Sequence, residues 1–208
     1  MLAFLTRWML GALLLAAAAL AHSAPKTVLV LGDSLSAEYG LARGSGWVAL
    51  LEQHLKAEKI DAAVVNASIS GDTTSGGRVR LPALLAQYHP ALVVIELGAN
   101  DGLRGLPVAA AEANLRAMVG LARASHAQVL LVGMRMPPNY GRDYTERFFA
   151  MYKTVSTQLK APLVPFMLDG VAEQPALFQA DRLHPTAQAH PTILANIWPT
   201  FLPLIKAR

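Results

Sequence analysis

Apolar runs of strand length alternate with longer segments of helical periodicity from Lys26 to the end of the chain. The run Thr27–Leu31 is continuous, rich in β-branched residues and followed by Gly32, which is typical of a strand buried on both faces of a sheet. Strands that alternate with helices need crossover connections, which are right-handed and produce a parallel sheet covered on both faces. The pattern therefore predicts a three-layer α/β/α sandwich with five parallel strands.

No linker, repeat or low-complexity tract divides this pattern, so residues 24–208 are expected to form one domain. The predicted strands are Thr27–Leu31, Ala62–Asn66, Ala91–Leu97, Gln128–Gly133 and Pro162–Pro165. The predicted helices are Gly46–Lys59, Gly76–Tyr88, Val108–Ser125, Thr145–Leu159 and Thr186–Leu204. We expect the last helix to bend or end near Pro199, because proline lacks the N–H that a helix interior uses.

The first 23 residues have a different character. Arg7 is their only charged residue, and the apolar run Trp8–Ala21 is shorter than the roughly 20 residues that a membrane span needs. A basic start, a short apolar run and the small-x-small triplet Ala21-His22-Ser23 predict a secretory signal peptide cleaved before Ala24. The alternative is an uncleaved N-terminal anchor helix. We expect a periplasmic or secreted protein with no stable membrane insertion after cleavage.

The composition excludes several classes of protein. The chain contains no cysteine, which removes disulfides, thiolate metal sites, iron–sulfur clusters and a cysteine nucleophile. Its net charge of +4 comes from scattered basic residues, so we expect no nucleic-acid partner. A P-loop and the G-x-S-x-G elbow of α/β-hydrolases are absent. The histidines without ligand spacing, expected at solvated helix or loop positions, are His54, His89, His126 and His190.

Polar residues collect directly after the predicted strands, at the sheet edge where ligands bind in open parallel sheets. Ser34 follows the first strand, and the preceding Gly32 permits a tight turn that exposes the hydroxyl. His184 is a candidate base, because Asp181, three residues earlier in a turn, can accept a hydrogen bond from its Nδ1–H. Each feature alone is compatible with an ordinary turn or helix cap, whereas their joint occurrence favours a nucleophilic hydrolase.

An acyl-transfer enzyme also needs donors for the oxyanion that develops on the substrate carbonyl. The backbone N–H groups of Ser34 and Gly71 and the side-chain amide of Asn100 can supply three. These residues follow three different strands whose carboxyl ends share one edge. Asp33 and Asp72, which flank this region, are expected to stabilise turns.

The stretches Gly32-Asp33-Ser34-Leu35-Ser36 and Gly98-Ala99-Asn100-Asp101, together with Gly71 and Asp181-x-x-His184-Pro185, resemble the four blocks of the SGNH (GDSL) hydrolases. The resemblance extends over residues 24–208 and implies a flavodoxin-like fold. It further implies that Ser34 is the nucleophile, His184 the base and Asp181 its partner, with Gly71 and Asn100 completing the oxyanion hole. The strings Ile69–Thr73 and Asn100–Gly105 are similar to a branch with acyl-CoA thioesterase, lysophospholipase and arylesterase activities.

This resemblance implies a serine esterase that acts on small-molecule acyl esters and thioesters through an acyl-enzyme. Because the residue set is self-sufficient, we expect no cofactor and no metal. Two alternatives stay open: a carbohydrate O-acetyl esterase that uses the same residues, and a non-catalytic lipid-binding protein on this scaffold. We expect a monomer.

An apolar segment follows Asn100 and is a candidate for binding the acyl chain. Leu103 and Leu106 are hypothesised to form one wall of an acyl groove, and Pro138 and Tyr140, after the fourth strand, the opposite wall. The alternative is a loop that simply packs on its neighbours.

Overall fold

The computed structural model describes residues 25–207, so the predicted signal peptide at residues 1–23 lies outside the described part of the chain. The strands are β1 (Lys26–Gly32), β2 (Ala62–Asn66), β3 (Leu92–Glu96), β4 (Gln128–Val132) and β5 (Leu163–Val164). The α-helices are α1 (Trp47–Ala57), α2 (Thr74–Tyr88), α3 (Ala99–Leu103), α4 (Val108–Ala124), α5 (Arg142–Leu159) and α6 (His190–Lys206). Short 3₁₀ turns cover Pro138–Tyr140, Pro175–Leu177 and Ala187–Ala189.

The five strands form one parallel sheet in the order β2-β1-β3-β4-β5, which confirms the predicted sheet. The chain leaves β1 toward one edge of the sheet and returns to place β3 on the other side of β1. In such doubly wound sheets the loops after the two strands at this reversal diverge and leave a crevice, which is where ligands bind. The segments after β1 and β3 are those that carry Ser34 and Asn100.

The centre of the sheet is fully buried, as the apolar runs predict. Val28–Leu31 of β1 and Leu92–Ile95 of β3 have no exposed surface, whereas the edge strand β2 is partly exposed. Helices α1 and α6 pack against each other, and α4 packs against both α2 and α5. These two groups cover opposite faces of the sheet and complete the three layers.

The prediction that the last helix bends or ends near Pro199 is wrong about its end. Helix α6 begins at His190, after the 3₁₀ turn, and continues through Pro199 and Pro203 to Lys206. Both prolines lie on the exposed face, where the carbonyls that they leave without a donor can bond to water. The opposite face is anchored in the core by Ile193, Ile197, Phe201 and Ile205.

Two further local predictions are corrected. The five-residue helix α3 forms where the sequence predicted a loop, because such a short segment has no readable periodicity. His190 is not solvated: it is buried, and its Nδ1 accepts a hydrogen bond of 2.9 Å from the Trp47 backbone N–H at the start of α1. Burial lowers the pKa of His190, so the neutral ring can serve as this acceptor. Within residues 25–207, no helix is long and apolar enough to cross a bilayer.

Candidate active site

The turn after β1 presents Ser34 at the carboxyl edge of the sheet. The backbone N–H groups of Ser36 and Ala37 donate to the Asp33 carbonyl, and the Asp33 carboxylate accepts from the Leu35 N–H at 3.1 Å. Asp33 therefore stabilises the turn, as expected from the sequence. Glycine precedes it at position 32 because a Cβ there would lie 2.7 Å from the Ser36 hydroxyl, so close approach rather than a left-handed backbone requires it.

Ser34, His184 and Asp181 form a continuous hydrogen-bonded chain. The distance from the Ser34 Oγ to the His184 Nε2 is 2.9 Å, and the distance from the His184 Nδ1 to the Asp181 Oδ2 is 2.7 Å. Asp181 Oδ1 also accepts from the backbone N–H groups of Leu183 and His184, at 2.9 and 3.0 Å. These backbone donors, together with the His184 ring, lower the pKa of Asp181 to about 2. Asp181 is therefore ionised at neutral pH and holds the ring with Nε2 toward the serine.

A hairpin-like loop brings His184 to the sheet edge. Phe178 forms an antiparallel bridge with Pro185, and the Gln179 N–H donates to the His184 carbonyl at 2.8 Å. Arg182, between the acid and the base, adopts a left-handed backbone with φ of 57°, which reverses the chain within the turn. The Gln179 side-chain amide donates to the Tyr39 carbonyl at 2.9 Å and so connects this loop to the segment that follows Ser34.

The three predicted oxyanion donors differ in whether they already donate a hydrogen bond. Neither the Ser34 nor the Gly71 N–H donates to another residue within 25–207. Gly71 has a left-handed backbone with φ of 80°, and the Arg104 guanidinium donates to its carbonyl at 2.8 Å. The amide of Asn100 already donates to the Asp72 carbonyl at 2.9 Å and to the Asp33 carboxylate at 3.2 Å. Both amide hydrogens are thus engaged, so Asn100 can serve an oxyanion only by giving up one of these two bonds.

Asn100 is positioned by a polar cluster behind it. Asp101 is buried and accepts from both the backbone N–H and the hydroxyl of Thr74, at 2.8 and 2.6 Å. Asn114 of α4 donates to the same hydroxyl at 3.1 Å. These bonds attach the short helix α3 to the start of α2 and so orient Asn100 toward the turn that carries Ser34.

A buried carboxyl pair lies beneath Ser34, and one member of it, Glu96, was not among the residues predicted from the sequence. Glu96 ends β3 and accepts from the Ser36 hydroxyl at 2.7 Å, while the Trp47 indole N–H donates to the same hydroxyl at 3.1 Å. Burial raises the pKa of Asp33 to about 6, and burial together with the Asp33 charge raises the pKa of Glu96 well above its ordinary value. The available signal was one acidic residue in an otherwise apolar strand.

The hypothesised acyl-groove residues occupy two joined loops. Leu103 is half-buried against the core and Leu106 is 38% exposed. The Tyr140 hydroxyl donates to the Leu103 carbonyl at 2.9 Å, and Pro138 begins the exposed 3₁₀ turn beside it. The Tyr140 hydroxyl therefore joins the two loops, and the acyl groove between Leu103 and Leu106 on one side and Pro138 and Tyr140 on the other stays a prediction. The sequence gives no indication of this contact because it joins residues on different loops.

Other exposed apolar side chains near the catalytic groups were not predicted. The Tyr39 ring is 50% exposed and packs on the His184 ring, with centroids 4.3 Å apart and an angle of 37° between the planes. Leu183 adjoins His184, and Ile69 lies two residues before Gly71; they are 47% and 53% exposed. The only feature of the sequence that could have indicated these side chains was their position close to the site residues along the chain.

This arrangement contains a hydroxyl that can act as nucleophile, an imidazole in contact with it that can act as base, an ionised carboxylate that can orient the imidazole, and nearby N–H donors. Together with the doubly wound sheet, it defines a serine hydrolase. A model of the GDSL-like lipase/acylhydrolase family matches residues 30–191, and the chain belongs to this family. It is therefore an ester hydrolase.

Known proteins of this kind are similar over most of the chain. The esterase TesA of Pseudomonas aeruginosa is 54% identical over 184 residues, which cover 88% of this chain and 92% of the relative. The thioesterase 1/protease 1/lysophospholipase L1 of Escherichia coli strain K12 is 41% identical over 200 residues, covering 96% and 95% of the two chains. A solved crystal structure of TesA is 55% identical, covers 86% of this chain and 99% of its own, and superimposes with a TM-score of 0.84.

Proposed function

We propose that Ser34 forms an acyl-enzyme from acyl esters and thioesters, with His184 as general base and Asp181 as its orienting partner. His184 Nε2 takes the Ser34 proton as the oxygen attacks the substrate carbonyl, and then gives that proton to the leaving oxygen or sulfur. Water, activated by the same imidazole, releases the acid and regenerates the serine. The observation that carries this proposal is the continuous hydrogen-bonded chain from Ser34 Oγ to Asp181.

The oxyanion of each tetrahedral intermediate is assigned to the N–H groups of Ser34 and Gly71 and to the Asn100 amide. The two backbone donors are available as they stand, and the left-handed turn at Gly71 is held by Arg104. Asn100 exchanges its 3.2 Å bond to Asp33 for a bond to the developing negative charge. The bond to Asp33 is long at 3.2 Å, so an oxyanion at a shorter distance is a competitive acceptor for the same N–H.

The substrate range that we propose includes aryl esters, acyl-CoA thioesters and lysophospholipids. Apolar side chains around the catalytic groups support acyl substrates: Tyr39, Ile69, Leu106 and Leu183 are all exposed large hydrophobic residues. The name of the Escherichia coli relative supports thioesters and lysophospholipids. A carbohydrate O-acetyl esterase would need more polar groups at the mouth to bind a sugar, and a lipid carrier would not need a complete catalytic set.

Replacing the nucleophile tests this assignment. In Ser34→Ala we expect turnover of p-nitrophenyl esters to fall by at least about 10³-fold, because the acyl-enzyme can no longer form. The matched control is Ser125→Ala at the exposed end of α4, which removes a hydroxyl far from the site and should leave turnover unchanged. Circular dichroism and thermal unfolding should show that both variants fold. Retained turnover in folded Ser34→Ala would exclude Ser34 as the nucleophile.

We also propose that residues 1–23 direct export and that the mature protein, residues 24–208, is one monomeric domain in the periplasm or outside the cell. The basic start and short apolar run support the export assignment. Fractionation of cells that express the full chain, followed by N-terminal sequencing, should give an exported protein that starts at Ala24. Size-exclusion chromatography with light scattering should give the mass of one chain. An intact N-terminus in the membrane fraction would instead support the anchor helix.

A further inference from the structure

An exposed aromatic ring lies directly on the candidate base. Tyr39 packs on His184 with ring centroids 4.3 Å apart, and half of its surface stays accessible. Its hydroxyl has no hydrogen-bond partner within residues 25–207, so the ring is not held there by that group.

The chemistry of the proposed reaction places the leaving group on the side of the site where His184 and Tyr39 lie. His184 Nε2 must hand its proton to the leaving oxygen or sulfur, so that atom and its substituent lie at the imidazole edge. The carbonyl oxygen points instead toward the N–H groups of Gly71 and Asn100. A side chain that covers the imidazole therefore borders the leaving group, whereas the segment that follows Asn100 borders the donors.

The position of Tyr39 is fixed by the backbone around it. The Gln179 amide donates to the Tyr39 carbonyl at 2.9 Å and to the Pro185 carbonyl at 3.0 Å. The Gln179 N–H also donates to the His184 carbonyl. Gly40 has a left-handed backbone with φ of 70° and leaves room for the Gln179 amide beside it. One side chain thus joins the segment that carries Tyr39 to the turn that carries the base.

We propose that Tyr39 forms a subsite for the leaving group and selects aromatic alcohols and thiols over small aliphatic ones. An aromatic leaving group can stack on the accessible part of the Tyr39 ring while it receives the proton from His184. A methoxy group is too small to reach the ring. This inference rests on the proposed function of Ser34 and His184 and adds a determinant of leaving-group preference to it.

The test compares two esters that share one acyl group, phenyl butyrate and methyl butyrate, in the mature enzyme and in Tyr39→Ala and Tyr39→Phe. In Tyr39→Ala we expect kcat/KM for phenyl butyrate to fall roughly five- to tenfold, the loss of one aromatic contact, while kcat/KM for methyl butyrate changes less than about twofold. Tyr39→Phe should keep the phenyl preference, because the ring and not the hydroxyl makes the contact. The control Val79→Ala removes an exposed apolar side chain on α2 and should change neither ester.

The deacylation rate separates a leaving-group contact from an indirect effect on the base. Both esters give the same butyryl-enzyme, and its hydrolysis, measured after rapid mixing, no longer involves the leaving group. We expect this rate to be unchanged in Tyr39→Ala. Equal losses in kcat/KM for both esters and in the deacylation rate would mean that Tyr39 only orients His184. Unchanged kcat/KM for both esters would mean that the ring does not contact the leaving group. Either result overturns the inference. Turnover by Ser34→Ala would refute the proposed function separately.

Discussion

Replacing Asp181 by asparagine exchanges one atom of the site and leaves its shape intact. The asparagine oxygen can still accept from the backbone N–H groups of Leu183 and His184, as Asp181 Oδ1 does. The amide nitrogen then takes the place of Oδ2, 2.7 Å from the His184 Nδ1. Because an amide nitrogen only donates, it favours the tautomer in which Nδ1 is bare and Nε2 carries the proton.

That tautomer cannot accept the Ser34 proton across the 2.9 Å contact. We expect kcat of Asp181→Asn to fall by about 10³- to 10⁴-fold, equivalent to about 4 to 5.5 kcal/mol of activation free energy. The free energy of unfolding should fall only modestly at neutral pH, because the side chain is 39% exposed, solvent screens the stability that its charge contributes, and its backbone acceptor is kept. The effect is therefore expected mainly on catalysis.

The assay is steady-state hydrolysis of a p-nitrophenyl ester between pH 6 and 9, with urea unfolding of the same samples. The pKa of Asp181 is about 2 in the folded chain and 3.8 ordinarily, so the stability that its ionised form contributes is present above about pH 4 and is lost as the pH falls toward 2. Titration of Asp181 therefore does not enter the assay range.

The control is Asp61→Asn, which changes an exposed residue before β2 at the opposite end of the sheet. A loss below about tenfold would refute the orienting role.

Three further predictions follow from the site. Asn100→Ala should lower kcat by about 10²- to 10³-fold through loss of an oxyanion donor, and an unchanged kcat would exclude that role. Leu103→Ser with Leu106→Ser should reduce hydrolysis of long-chain p-nitrophenyl esters more than of the acetyl ester; equal losses would remove the acyl-groove hypothesis. Because burial raises the pKa values of Glu96 and Asp33, their contribution to stability is present below about pH 4 and is lost as the pH rises through about 6 and above. Glu96→Gln should therefore lose less free energy of unfolding than the parent between pH 5 and 9 in urea titrations, and parallel curves would contradict the charge assignment.

Local patterns in the sequence predicted most of the sheet. Short continuous apolar runs between turn residues indicate strands, and even the partly exposed β2 has the predicted bounds of Ala62–Asn66. Helix starts were less accurate, since caps decide them: α2 begins at Thr74 because the Thr73 side chain accepts from the Gly76 N–H. At Pro199 the local rule failed, because the buried face of α6 outweighs two lost hydrogen bonds that lie in solvent.

Candidate catalytic residues that lie close together in the chain, or directly after a strand, could also be predicted from the sequence. Asp181 and His184 lie in one turn, and Ser34 directly follows a strand, so their residue types at these positions already indicate a nucleophilic hydrolase. That three strand ends meet at one edge follows from parallel pairing alone. These conclusions needed only local geometry and the direction of the strands.

Tertiary structure alone decided which distant residues support and border that chemistry. Glu96 lies under the Ser34 turn, and Tyr39 lies on the His184 ring, because strand order and the pairing around Gln179 bring separate segments together. No periodicity or spacing encodes such contacts, since each depends on the packing of elements far apart in the chain. The sequence by itself thus determined the parallel fold and the types of the candidate catalytic residues, whereas tertiary packing determined the electrostatic surroundings of Ser34 and the side chains that contact His184.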